Sequence, residues 1–422
     1  MRYHSSIEHV DFPAFYGLGT HFGVSMNRFL QRSVFVLSLG LLVVLIAGEF
    51  GLRAVRAGSS EEGAYKQINV YQQVLKHIQA EYVTEPNMTD VTLGALHGLL
   101  ETLDADSSYL SPVEYKLYKD HPAGGDAQVG LTVSKRGGYA VIVSVLPGSP
   151  ADKEHITDGD YIESIGNQST RELSLAMIRV MLEGKPGSEL TLSVIRPRKP
   201  DPDKVTLTRV VPSLPTLGQQ QYENATILYL KPGILTPARV DEIATHLKTM
   251  SKDGNKKVLL DLRDVTRGDE EQGERLANLF LKQGTLATLS GQKFPTQTFT
   301  ADPSHFVTDA PLVVLVNRGT AGAAELAAAA LADDKRADLV GERTFGEGSV
   351  QKTIELPSGG AVILTVATYS SPNGKKFLED AVTPSILAGP TPEQEADEDE
   401  NAPPKNDAQL DKALSVLKAK AA

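Results

Sequence analysis

Two short, almost wholly apolar segments constrain this chain most: Val258–Leu262 (VLLDL) and Leu312–Val316 (LVVLV). Each is too short for a self-sufficient helix, and the run of Leu and Val without alternation predicts a strand covered on both faces. Ile227–Lys231 reads as a third strand. Helical segments fall between them. Thr236 precedes Pro237 and caps a helix running to about Met250. A second helix is expected at Gly273–Leu281, and an Ala-rich one at Ala323–Ala332, where small side chains permit close packing. Strand and helix alternating in this way after Pro212 predict a βα-layered core.

Before Pro212 the pattern differs. Short strands are expected at Val129–Ser134, Tyr139–Val145, Tyr161–Ile165, Leu190–Arg196 and Lys204–Val211, interrupted by a helix at Leu173–Leu182. Upstream, Ile68, Tyr71, Val74, Leu75 and Ile78 recur at helical spacing, and a further helix is expected at Val91–Leu103. The segment Leu103–Tyr115 reads as a turn that opens a short helix at Ser111-Pro112, with Glu114 in its first turn. Residues 121–128, rich in Gly, read as a hinge. The expected organisation is a helical segment over 64–120, a β-domain over 126–212, a core over 213–390, an acidic disordered tail over 391–405 and a helix over 406–422. A length of 422 residues fits two or three domains.

The N-terminus bears on compartment. Ser33–Gly48 is an uncharged apolar run preceded by Arg28 and Arg32, and extension to Leu52 reaches the about 20 residues that a bilayer requires. Residues 26–52 are therefore expected to be a membrane anchor, with a cleaved signal segment as the alternative. Met26 fits a start codon, which makes residues 1–25 an upstream extension. The chain holds no cysteine, which excludes disulfides, thiolate metal sites and a Cys nucleophile. Much of the net charge of −11 comes from the acids crowded into Glu393–Glu400. No basic stripe interleaved with aromatics appears, so nucleic acid is not an expected partner.

The β-rich stretch carries Val129–Val133 (VGLTV), then VLPGSPADKEHITDGDYIESIGNQS and MLEGKPGSELTLSVIRP, and it resembles a bacterial PDZ domain. In such a module a peptide adds to an edge strand, its terminal carboxylate meets backbone N–H groups, and alternate side chains enter an apolar pocket. The resemblance implies Val129, Gly130, Leu131, Thr132 and Val133 as the peptide-binding strand, with Ile178 and Met181 facing it from the helix.

Around this module, LETLDADSSYLSPVEY, DLRDVTRG (Asp261–Gly268), LVVLVNRGTAGAAELAAAAL, LVGERTFGEGSVQ and LPSGGAVILTVATYSSPNG resemble the carboxyl-terminal processing peptidases, or tail-specific proteases. The resemblance runs from about Tyr65 to Ile386. It implies an α/β, ClpP/crotonase-like layered peptidase core with an inserted PDZ β-domain and an N-terminal helical segment. That family uses a serine nucleophile, a lysine base whose pKa burial lowers, and backbone N–H groups for the oxyanion. The motifs align Gly322 with the serine and Glu347 with the lysine, while Gln351 matches the assisting glutamine. In the loop that the family writes D-L-R-x-N-P-G-G, Arg267 replaces the first glycine and Gly268 keeps the second; Ala323 follows the nucleophile position.

These residues imply a pseudopeptidase of the bacterial envelope, held in the inner membrane with its domains on the periplasmic side. It would bind polypeptide C-termini or unfolded tails and act as scaffold or regulator, with an active paralogous peptidase as a possible partner and no metal or cofactor. Two rivals follow from the same residues. One is an active serine endopeptidase with a relocated nucleophile, for which Thr320, Ser349 and Lys352 are the candidates; the other is a structural envelope protein with an idle groove. The acids Glu347, Asp264, Asp269 and Glu325 lie in no ligand-spaced motif, and His97, His155 and His246 stand isolated.

Overall fold

The computed structural model describes residues 66–121, 127–196, 201–389 and 407–421. The apolar run Ser33–Gly48, the start at Met26 and the acidic tail 391–405 lie outside them. Among the described residues no helix is long and apolar enough to cross a membrane. The chain divides into two compact units, 1–88 and 89–422. The first contributes helix α1 (66–81), whose Ile68, Tyr71 and Val74 are exposed.

α2 (Met88–Glu101) leads into the second unit, followed by β1 (Ser108–Leu110) and α3 (Pro112–Asp120). A capping box starts α3: the Ser111 hydroxyl accepts from the Glu114 N–H, and the Glu114 carboxylate accepts from the Ser111 N–H at 2.8 Å. A small β-domain follows, made of β2 (Ala127–Gln128), β3 (Leu131–Arg136), β4 (Tyr139–Val145), α4 (Pro150–Lys153), β5 (Tyr161–Ile165), β6 (Gln168–Ser169), α5 (Leu175–Leu182), β7 (Glu183–Gly184), β8 (Glu189–Ile195) and β9 (Asp203–Thr208). Its main sheet runs β3-β4-β5-β8-β9, which leaves β3 at the edge.

The core contains β10 (Gly218–Tyr222), β11 (Ile227–Lys231), α6 (Pro237–Thr249), β12 (Lys257–Asp261), α7 (Glu270–Asn278), β13 (Thr285–Ser290), β14 (Gln297–Thr300), β15 (Leu312–Val316), α8 (Ala323–Asp333) and β16 (Ala337–Gly341). It ends with β17 (Ser349–Glu355), β18 (Ala361–Ser370), α9 (Phe377–Asp380), β19 (Ile386–Leu387) and α10 (Ala408–Ala419). The main sheet has the order β10-β11-β12-β15-β16-β19 and is parallel from β11 onward. Period-two alternation divides its side chains: Leu230, Leu260 and Val314 meet the helices α6 to α8, whereas Tyr229, Leu259 and Val313 meet α10. Both faces are covered, as the unbroken apolar strands require.

A second sheet, β1-β18-β13-β14 with β17 beside β18, packs on the other side of α7 and α8. Every residue of α8 from Ala323 to Leu331 is buried, and its alanines allow that close approach. Because β1 pairs with β18, Ser108 opposite Ile363, the chain joins the core before it builds the small domain. The β-domain is thus an insertion, and Leu110, Tyr115 and Ile363 share one apolar cluster with its Val129 and Ile178.

One buried polar network holds α10 to the sheet. Asp261 is fully buried, accepts from the Tyr229 hydroxyl at 2.8 Å and pairs with Arg263 at 2.7 Å. Arg263 also pairs with Asp407 at 2.8 Å, at the cap of α10. Removal of the guanidinium would leave Asp261 a buried, uncompensated charge. Arg263→Ala is therefore expected to destabilise the protein by about 3–5 kcal/mol in denaturant unfolding, and limited proteolysis should then cut near α10 first.

Candidate functional site

The turn after β15 sets the backbone of the site. Asn317 Oδ1 accepts from the Asp264 and Gly319 N–H groups. The buried Thr320 hydroxyl donates to Leu262 O at 2.9 Å and accepts from the Asn317 N–H at 3.0 Å. Thr320 is thus committed to the turn. Gly322, at the N-terminus of α8, has φ 55° and ψ −118°, a combination that costs a side-chain-bearing residue roughly 1–3 kcal/mol. A Cβ built there would lie 3.9 Å from Glu347 Oε2 and meet nothing nearer. Positions 322 and 347, separated by 25 residues in sequence, face each other.

Glu325 makes that facing possible. Its fully buried carboxylate accepts from the N–H groups of Gly322 (3.2 Å), Gly346 (2.8 Å) and Glu347 (2.7 Å), and from the Thr344 hydroxyl. Burial pushes its pKa up to about 8, against these hydrogen bonds, which favour the anion. Glu347 itself is raised to about 7, chiefly by burial; Arg179 opposes the shift, while Asp106 and Glu270 add to it. Glu274 is also raised to about 7, by burial and by its neighbours Glu271 and Glu270. The surroundings of Gly322 are acidic.

Glu347 lines a cleft of about 350 Å³ between the core and the β-domain, with Asp106, Arg179, Thr132 and Phe345 among its walls. Arg179 pairs with Asp106 at 3.1 Å and approaches Glu347 at 3.9 Å. The Ser349 hydroxyl donates to Asp106 at 3.2 Å and accepts from Gln351 at 2.7 Å. Gln351 therefore contacts Ser349 rather than Glu347. Lys352 lies exposed on β17, opposite Leu364. Among the described residues no cluster of three or more His, Asp or Glu could hold a metal.

The loop Asp264–Gly268 faces the β-domain. Gly268 has φ 140°, and a Cβ there would lie 2.4 Å from Leu235 O, so this position admits glycine alone. Thr266 meets the hydroxyls of Thr132 at 3.1 Å and Ser144 at 2.9 Å. Arg267 reaches beyond them and donates to Gln128 Oε1 at 2.5 Å.

Beside the edge strand β3 runs a second cleft, of about 320 Å³, lined by Val129, Leu131, Thr132 and Val133 and, across from them, by Arg179, Leu182, Glu183 and Arg267. Of the five strand residues expected to bind peptide, Val129, Leu131, Thr132 and Val133 line this cleft and Gly130 does not. The helix side departs from expectation: Ile178 is fully buried in the apolar cluster, and Met181 packs against that cluster half-buried. The physical reason is helical phase. On α5, capped by Ser174, successive side chains lie about 100° apart, so with Ile178 packed into the cluster it is Arg179 and Leu182 that reach the cleft. Gly130 has φ 89°, and a Cβ there would overlap Ser149. Sequence reasoning also missed Asp106 and Arg179, which approach Glu347 only through the tertiary fold.

Residues 233–388 match the model of peptidase family S41, and residues 119–195 match the PDZ domain. A carboxyl-terminal-processing protease of Picosynechococcus is 32% identical over 323 residues, 74% of this chain and 78% of that protein. One from Bartonella bacilliformis is 28% identical over 342 residues, 80% of this chain and 78% of that protein. The solved photosystem II D1 C-terminal processing protease superposes with a TM-score of 0.63 at 26% identity, covering 82% of this chain and 90% of its own. The chain belongs to the carboxyl-terminal-processing proteases of family S41. The S41 match takes in Arg267, Gly268, Gly322 and Glu347, and the PDZ match takes in every other residue lining the cleft beside β3.

Two measurements check this geometry. Gly322→Ala meets no steric obstacle but keeps the strained backbone, and is expected to cost about 1–3 kcal/mol in equilibrium unfolding. Glu347 binds its proton more tightly folded than unfolded, so its contribution to stability is full below about 4.5 and is lost as pH rises to about 7. Glu347→Gln is expected to remove that part of the pH dependence, about 1 kcal/mol after allowance for solvent, in unfolding midpoints measured across that range.

Proposed function

We propose that this chain is a PDZ protein of family S41 that binds polypeptide C-termini and lacks serine–lysine proteolysis. The observation that carries this reading is the facing of Gly322 and Glu347, with the Cβ direction at 322 aimed at the Glu347 carboxylate. Where the family's chemistry calls for a hydroxyl and a neutral amine, this pair offers a hydrogen and an acid. A second consideration is electrostatic. Acyl transfer develops negative charge beside the nucleophile, and here Glu347, with Glu270 and Asp106 near it, puts acids where the family has a cation. The relatives are named proteases; Gly322 and Glu347 are the residues on which this chain is set apart from them. A relocated nucleophile finds no support in Thr320 or Ser349, whose hydroxyls serve the turn and the Asp106 network.

In the same proposal the apolar run Ser33–Gly48 anchors the chain in the bacterial inner membrane, with its domains on the exported side. Binding of chain ends without cleavage suits a scaffold or regulator of an active paralogue. The test pairs a fluorophosphonate probe with a denatured protein substrate. Neither labelling nor turnover is expected, while peptides with apolar C-termini bind and Leu131→Asp weakens them at least about tenfold. Turnover that disappears in Thr320→Ala or Ser349→Ala would overturn the proposal. Gly322→Ser with Glu347→Lys is expected to stay well below an active relative, because Arg267 and the surrounding acids remain.

A further inference from the structure

We infer that Arg267, contributed by the core loop rather than by the PDZ domain, is the residue that receives the terminal carboxylate of a peptide lying along β3. This inference rests on the C-terminus-binding proposal and adds the group that reads the chain end. Three observations carry it. The first is position: Arg267 lines the same cleft as Val129, Leu131 and Leu182 and holds Gln128, two residues before the Gly130 turn that opens β3. A strand-adding peptide places its carboxylate at that end of the edge strand.

The second observation is unmet demand. Among the described residues, the Arg267 guanidinium makes one side-chain hydrogen bond, and its acceptor is a neutral amide. Burial disfavours its charge, and only Glu183 lends it support. A part-buried cation with most of its five donors unused is costly unless an anion arrives, and a carboxylate matches the guanidinium fork in shape. The third is competition. Arg179, the other arginine in the cleft, is already paired with Asp106 at 3.1 Å, so it has less to gain from a new carboxylate.

Arg267 does not stand alone on its loop. Thr266 bonds to Thr132 on β3 and Ser144 on β4, so a chain end held by Arg267 would also hold the PDZ domain to the core. The ligand class is therefore an unstructured polypeptide with a free α-carboxylate and an apolar last side chain.

The experiment uses fluorescein-labelled decapeptides ending in valine, identical except for a free or an amidated C-terminus. Anisotropy titrations compare the full chain with Arg267→Gln and Arg267→Lys, each checked for an unchanged unfolding midpoint, and with Leu131→Asp. Leu131 is buried in the β-domain cluster, so this last variant is titrated where circular dichroism shows it folded. Amidation is expected to weaken binding about tenfold to a hundredfold. Arg267→Gln should weaken the free acid by a similar factor and leave the amide unchanged, and Arg267→Lys should recover part of the loss. Peptides that bind in the groove, with Leu131→Asp abolishing binding, but tolerate Arg267→Gln, or lose acid and amide equally, would overturn the role of Arg267 alone. Absence of binding by either peptide, or binding indifferent to Leu131→Asp, would overturn the C-terminus reading together with it.

Discussion

The carboxylate of Glu325 ties together two stretches of chain that a backbone bond, from the Phe345 N–H to Thr320 O at 3.0 Å, also brings close. It sits in the first turn of α8 and takes hydrogen bonds from Gly322 on one side and from Thr344, Gly346 and Glu347 on the other. An acceptor buried this deeply is costly unless every lone pair is used. Satisfying it fixes the N-terminus of α8 against the loop that follows β16. The relative placement of positions 322 and 347, the wall of the cleft and the approach of Arg179 all depend on that join. Gly346 adds a steric condition, since a Cβ there would lie 3.0 Å from Phe377 O. The site is thus a backbone scaffold first, and the side chains displayed on it are a separate matter.

That distinction explains what the sequence could and could not reveal. The apolar strands were legible because burial on both faces leaves a continuous signal, and β15 lies where LVVLV stands. The cap at Thr236 was legible because a short-range bond, from the Arg239 N–H, fixes it. The second sheet was not: β17 is largely exposed along its length, and its partner β18 has an uneven burial pattern. Neither has the alternation that marks a strand. At the site, Gly322, Glu347 and Gly268 could be found by motif spacing. Asp106 and Arg179 could not, because 73 residues and a domain insertion separate them. The face that α5 turns to the groove was not legible either, because Leu175, Ala176, Met177, Ile178 and Leu182 are all buried and a helix that is apolar nearly all round carries no periodic signal to orient it.

Arg267 shows how a motif departure changes meaning in three dimensions. As a sequence feature it is damage to a glycine loop. In the fold its main chain still supports the loop, because Arg267 O accepts from the Leu235 N–H at 2.9 Å and Gly268 still passes Leu235 closely. The loop is therefore retained as a backbone element while its side chain points into another domain's cleft. A glycine here would leave Gln128 without that partner and the groove with Arg179 as its cation.

The acidity around Gly322 then acquires a physical sense. Lysine and glutamate place opposite charges at position 347, and the low-dielectric surroundings magnify the difference. With glutamate, Arg179 is drawn between Asp106 and Glu347, so the PDZ helix is tethered to the core. Arg179 reaches from the PDZ domain to Asp106 and Arg267 from the core to Gln128, and both line the cleft beside β3. A peptide added along β3 would meet both. It would compete with neither apolar core, because Ile178 and Val133 are already buried. Affinity at such a groove comes from main-chain pairing and from the charge at its end. The acids Glu347, Glu270 and Glu325 lie outside the cleft beside β3, whose charged walls are Arg179, Glu183 and Arg267.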